Sequence, residues 1–150
     1  PLIINDRLDI AMVSRAHGVH FGETGLPIDA AREVASPDML LGKSVHSLTG
    51  ALKAETENPD YLIMGTIFAS MSHPGVKPKG IQLLHSTSEK VRVPFLAIGG
   101  IQETNIADVM RAGASGAAVI SAIYEHSSPR DAASRLLMEM MSYETPKNPT

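Results

Sequence analysis

Short apolar runs alternate along the chain with segments in which apolar residues recur every three or four positions. Leu2-Ile3-Ile4 is such a run; it meets Asn5-Asp6-Arg7, and Leu8, Ile10, Ala11 and Val13 follow at helical spacing, which predicts a strand feeding a helix. Gly18-Val19-His20-Phe21 repeats the strand, Gly22 and Gly25 break it, and Pro27 opens a helix over residues 28–35. Residues 39–45 form a third strand, with Ser47 placed to cap a helix whose inner face is Leu48, Ala51, Leu52 and Ala54. Tyr61-Leu62-Ile63-Met64 is the fourth strand and ends at Gly65. Residues 94–98 and 116–120 supply two more, followed by helices over 104–112 and 129–143, the last striped by Leu136, Leu137, Met140 and Met141.

Six strand and helix pairs in strict alternation, with near-continuous apolar strands, predict an α/β protein with a parallel sheet covered on both faces. An open doubly wound sheet and a closed barrel both satisfy that pattern. No G-x-G-x-x-G follows the first strand, which disfavours a dinucleotide-binding sheet. Residues 69–80 form a long connection rich in Pro and Gly, and connections of that length in a compact domain are more often functional than idle. Residues 144–150, with no apolar stripe, read as a flexible tail to one domain over 1–143.

Composition narrows the function. With 43% hydrophobic and 19% charged residues the chain can build one core. A net charge of −3 disfavours a nucleic-acid partner, which calls for a basic face. The absence of Cys removes disulfides, thiolate metal sites and thiol nucleophiles, and fits a cytoplasmic protein. No apolar run approaches the roughly 18 residues of a membrane span.

In parallel α/β folds the ligand meets the C-terminal ends of the strands. Those positions hold Asn5 and Asp6, then His20 and Glu23, then Ser44 and His46, then Thr66, Ser70, Ser72 and His73, then Gly99 and Gly100, and last Ser121. Gly99-Gly100 directly after an apolar strand, with Ser121 closing the next, suits a phosphate cradle, because glycine lets backbone N–H groups approach an anion closely; the same pair also serves a plain tight turn. Ser70 and Ser72 offer two hydroxyls to a phosphate, though serines are equally at home in a solvated loop. Asn5 and Asp6 are candidate Mg²⁺ ligands if a substrate phosphate completes the set, and Asp6 is alternatively a cap for the first helix. His20, His46 and His73, with Glu23, are the groups suited to proton transfer.

Taken in order, Leu2-Ile3-Ile4-Asn5-Asp6-Arg7, Gly18-Val19-His20-Phe21-Gly22, Gly42-Lys43-Ser44-Val45-His46-Ser47, Gly65-Thr66-Ile67-Phe68, Ala97-Ile98-Gly99-Gly100-Ile101 and Val119-Ile120-Ser121-Ala122-Ile123 resemble the successive motifs of the thiamin phosphate synthase and TenI family. The resemblance spans residues 2–137. It implies a (β/α)₈ TIM barrel of which the first two βα units are not in this chain, and the open strand edges that result favour self-association, so a homo-oligomer is expected.

For the synthase, the resemblance implies joining hydroxymethylpyrimidine pyrophosphate to thiazole phosphate with Mg²⁺. Asp6 would then be a metal ligand, Ser44, Ser70 and Ser72 would meet pyrophosphate, and Gly100 with Ser121 would hold the thiazole phosphate. Three positions depart from the synthase pattern: Gly22-Glu23-Thr24-Gly25 lacks its acidic ligand unless Glu23 substitutes, Ser70-Met71-Ser72 replaces its T-x-T, and His73 replaces its lysine. Gly25-Leu26-Pro27 and Ser44-Val45-His46-Ser47-Leu48 look closer to the TenI-like branch, some members of which are thiazole tautomerases, although Thr66 stands where those carry a histidine. The expectation is therefore a TenI-like protein of thiamin biosynthesis that binds thiazole phosphate and moves a proton on it through His20, Glu23 or His73. The alternatives are the synthase itself, which alone needs Mg²⁺, and a catalytically silent relative that binds ligand and acts through protein partners.

Overall fold

The computed structural model describes residues 1–70 and 75–142. Six strands, β1 (Ile3–Asn5), β2 (Gly18–Phe21), β3 (Leu40–Val45), β4 (Tyr61–Met64), β5 (Phe95–Ile98) and β6 (Gly116–Ala118), pair in chain order, and every pair is parallel. Helices cross between them: α1 (Leu8–Val13), α2 (Ile28–Arg32), α3 (Leu48–Glu55), α4 (Ile81–Ser88) and α5 (Ile106–Arg111), with a one-turn α6 (Ser121–Tyr124) and the longer α7 (Pro129–Met141) after β6. In a flat sheet, β1 and β6 would lie about 24 Å apart, five strand spacings. Residues at the C-terminal ends of both line one cavity, so the sheet is curled into a half-barrel.

The strands are apolar for the reason the pattern suggested. All four residues of β2 are buried, and β3 sends Leu41, Lys43 and Val45 to one face and Gly42 and Ser44 to the other. Gly42 is required there by a close approach: any Cβ would collide with the Tyr61 ring. The buried apolar side chains form two clusters. One contains Leu8, Val19, Phe21, Ile28 and Leu41; the larger contains Val45, Leu62, Met64, Leu84, Phe95 and Val109. Their boundary falls inside β3, between Leu41 and Val45. Lys43 sits between them, buried, with its Nζ 2.6 Å from Glu57, whose carboxylate also accepts from the backbone N–H of Ile28.

Several expected details change. Helix α2 stops at Arg32 rather than residue 35, and α5 runs over Ile106–Arg111 rather than 104–112. Strand β6 ends at Ala118, two residues early, and α6 follows almost at once. Of the α7 stripe, Leu136 is buried and Met140 packs on the larger cluster, whereas Leu137 and Met141 are exposed. On α1, Leu8 and Ala11 face the core while Ile10 and Val13 face out. Ser47 does cap α3, its hydroxyl accepting from the N–H of Gly50 at 3.0 Å. The tail 144–150 lies outside the described residues. Among those residues, no helix is long and apolar enough to cross a membrane.

Candidate active site

The C-terminal ends of the strands enclose a cavity of about 720 Å³. Asn5 reaches it from β1, His20 from β2 and Ser44 from β3, with His46 just beyond. Thr66 and Ser70 follow β4, Gly99 and Gly100 follow β5, and Ser121 opens α6. Nine of the residues picked out from the sequence thus share one space. Asp6 and Glu23 are not in its wall, and Ser72 and His73 lie outside the described residues.

His20 is largely buried, stacked on Tyr61 at a centroid separation of 5.6 Å, with Nε2 2.8 Å from the Ser44 hydroxyl. Its Nδ1 is buried with no partner among the described residues. Burial pushes its pKa below the ordinary value, and the Asp6 carboxylate opposes that only in part, so the ring is neutral near pH 7. His46 is different. Its Nδ1 lies 2.6 Å from the Gly65 carbonyl oxygen, which can only accept, so Nδ1 carries the proton. In the neutral ring Nε2 is then an acceptor.

Gly99 and Gly100 have φ of +100° and +62°, which L side chains rarely adopt. A Cβ on Gly100 would strike the carbonyl oxygen of Ala69, and one on Gly99 would lie 2.5 Å from Thr66 Cγ2. This turn is braced by Asn105, whose Nδ2 donates to the Gly100 oxygen at 3.0 Å while its Oδ1 accepts from the N–H of Gln102 at 2.9 Å. Among the described residues, the N–H groups of Gly100, Ile101 and Ser121 donate to no protein acceptor. Unpaired donors beside a cavity are what an anion needs.

Two acidic candidates are engaged elsewhere. Asp6, at φ +57°, accepts from the Gly22 N–H at 3.1 Å and does not cap α1, where Arg7 holds the cap position and makes no side-chain cap bond. Glu23 accepts from the His46 N–H at 3.3 Å, at the start of α3, where a carboxylate opposes the positive helix end. No group of three or more metal-binding side chains occurs among the described residues. Two residues escaped the sequence. Asn105 had a signal, an Asn immediately before a helical segment. Lys79 lines the cavity from the end of the long connection and had none.

A family model described as thiamine monophosphate synthase matches residues 1–123. The thiamine-phosphate synthase of Chlorobium phaeovibrioides is 45% identical over 139 residues, covering 92% of this chain and 66% of that protein. The one from Chloroflexus aurantiacus is 46% identical over 124 residues, covering 82% and 57%. The chain therefore spans about two thirds or less of these relatives. Among solved structures, thiamine phosphate pyrophosphorylase from Pyrococcus furiosus superposes with a TM-score of 0.84 at 35% identity, covering 93% of this chain and 67% of that one. A 3-hexulose-6-phosphate synthase at 24% identity and TM-score 0.71 shares the fold.

These relatives overturn the expectation of a TenI-like thiazole tautomerase. That expectation stood on departures at a few loop positions, whereas the identity to synthases extends across all six strand and helix pairs. The geometry offers the tautomerase no support either, since the Glu23 carboxylate is directed at the start of α3 rather than into the cavity.

Proposed function

The chain belongs to the thiamine monophosphate synthase family, and from that premise we propose that it forms most of a thiamine-phosphate synthase, which joins hydroxymethylpyrimidine pyrophosphate to thiazole phosphate. In this reaction the bond from the pyrimidine methylene to pyrophosphate oxygen breaks, its electron pair leaving with pyrophosphate, and the thiazole nitrogen lone pair forms the new C–N bond. The observation that carries the proposal is the set of unpaired donors at Gly100, Ile101 and Ser121 beside one cavity into which all six strand ends converge.

Gly99-Gly100 and Ser121 hold the thiazole phosphate through backbone N–H groups and a hydroxyl. Ser44 and Ser70, with Ser72 from the adjoining segment, bind pyrophosphate. His20 sets the Ser44 hydroxyl: a neutral ring that donates from Nε2 leaves the serine proton free for an anion. Asn5, Thr66 and His46 wall the space, and His46 Nε2 accepts from a substrate N–H or O–H. Of His20, Glu23 and His73, His20 is the one that lines the cavity among the described residues. Mg²⁺ fits the residues present in the way it usually binds, by one or two carboxylates plus substrate phosphate oxygens. Asp6 would hold it, since one of its oxygens takes the Gly22 N–H and the other has no protein partner among the described residues. Held there, Mg²⁺ would supply positive charge for a departing pyrophosphate.

The whole protein completes the half-barrel as a (β/α)₈ barrel with two further βα units, residues 1–143 being part of that one domain. Support comes from the edges of β1 and β6, unpaired among the described residues, and from the exposed apolar residues Val13 on α1 and Met141 on α7. The test is an assay of the full-length protein with both substrates and Mg²⁺. Thiamine phosphate and pyrophosphate are expected in equal amounts, with a loss of ~10-fold or more in kcat/KM on Ser121→Ala with Gly100→Ala; no product with either substrate order would defeat the proposal.

A further inference from the structure

We infer that Lys79 is the cation of this cavity, its ammonium group neutralising the phosphate or pyrophosphate bound there. The inference rests on the anion-binding part of the function proposed above. Among the described residues that line the cavity, Lys79 is the sole Lys, Arg, Asp or Glu. A phosphorus anion with about two negative charges loses much of its hydration on entering such a space, and neutral donors offset only part of that cost. An ammonium group on a flexible four-carbon stem offsets more, and acts as a point charge without the planar geometry a guanidinium imposes.

The backbone holds Lys79 in place while leaving its side chain free. Its N–H donates to the Thr66 oxygen at 2.8 Å, and the N–H of Gly80 donates to the Ile67 oxygen at 3.0 Å, so the end of the long connection is tied to the exit of β4. Thr66 in turn abuts Gly99, which places Lys79 on the same wall as the Gly99-Gly100 turn. No carboxylate among the described residues forms an ion pair with Lys79, although five other Lys and Arg side chains are so paired. Pro78 separates it from Lys77, and Lys77 is absent from the cavity wall. Two lysines in one segment thus differ in a testable way.

The experiment titrates inorganic phosphate and inorganic pyrophosphate separately into the full-length protein by calorimetry, for wild type, Lys79→Gln, Lys79→Arg, Lys79→Glu and Lys77→Gln, alongside thiamine phosphate formation. Lys79→Gln should weaken at least one anion by ~10-fold or more and flatten its salt dependence. Lys79→Arg should recover most of the loss, Lys79→Glu should be worse than Lys79→Gln, and Lys77→Gln should match wild type. Whichever anion is weakened identifies the group that Lys79 meets. Equal binding of both anions by wild type and Lys79→Gln overturns the inference, as does wild type that binds neither. Anion binding that depends on Lys79 without thiamine phosphate formation would leave Lys79 standing and remove the synthase proposal. Lys79 is exposed and its backbone bonds do not involve its side chain, so unchanged thermal midpoints are expected, and the graded series separates charge from misfolding.

Discussion

The most constrained single group in the site is His20. Its ring is buried against Tyr61, its Nε2 is committed to Ser44, and its pKa lies below the ordinary 6.5 because the charged form is desolvated. The folded state therefore binds this proton less readily than the unfolded chain. That contribution to stability is fully present above pH 6.5 and is lost as the pH falls through 6.5 toward the depressed folded value. Denaturant titrations from pH 7.5 down to 5 should show falling stability, and His20→Gln should flatten that slope; an unchanged slope would show that other groups control it. At this scale much of the site was legible, because parallel strands bring their C-terminal residues together and Asn5, His20, Ser44 and Gly99 lie where that rule looks. Lys79 was not, since it is distant from any strand end in sequence and reaches the cavity only through backbone bonds to Thr66 and Ile67.

Between elements, the buried Lys43–Glu57 pair joins the middle of β3 to the segment after α3, and through the Ile28 N–H to the start of α2. Removing the lysine alone leaves a largely enclosed carboxylate with only the charge of Lys53 and the Ile28 N–H to offset it, which costs about 3 kcal/mol. Lys43→Met should lower unfolding free energy by roughly that amount, and Lys43→Met with Glu57→Leu should recover part of it; additive losses in the double variant would mean the pair is not coupled. The alternation of strands and helices was legible because apolar runs and helical spacings are long enough to count. Two helices were not: α4 was given no bounds after the long connection, and Ser121-Ala122-Ile123-Tyr124 of α6 is one turn and carries no periodicity. Nor does spacing separate core from surface on α7, where Leu137 and Met141 look like Leu136 and Met140 but sit outward.

For the whole molecule, the family and the curled parallel sheet follow from one pattern, six short apolar strands with polar residues at one end. What the pattern could not decide was the reaction, because relatives on one scaffold differ at a handful of loop positions. Those positions misdirected the expectation toward proton transfer, and the similarity carried by the rest of the chain corrected it.

The division of the interior at β3 has a consequence for how the protein comes apart. Leu41 is anchored in one cluster and Val45 in the other, so a single strand is shared by two cooperative units that can open at different free energies. Native-state amide exchange should sort into two tiers, with β1 and β2 in one, β4 and β5 in the other, and the step between them within β3; a single uniform tier would mean the halves open as one. If the tiers are found, the strand that carries Ser44 into the cavity is also a hinge of local unfolding. Ligand held between Ser44 on one side and Gly100 on the other would then fasten the two units together, raising the weaker tier toward the stronger.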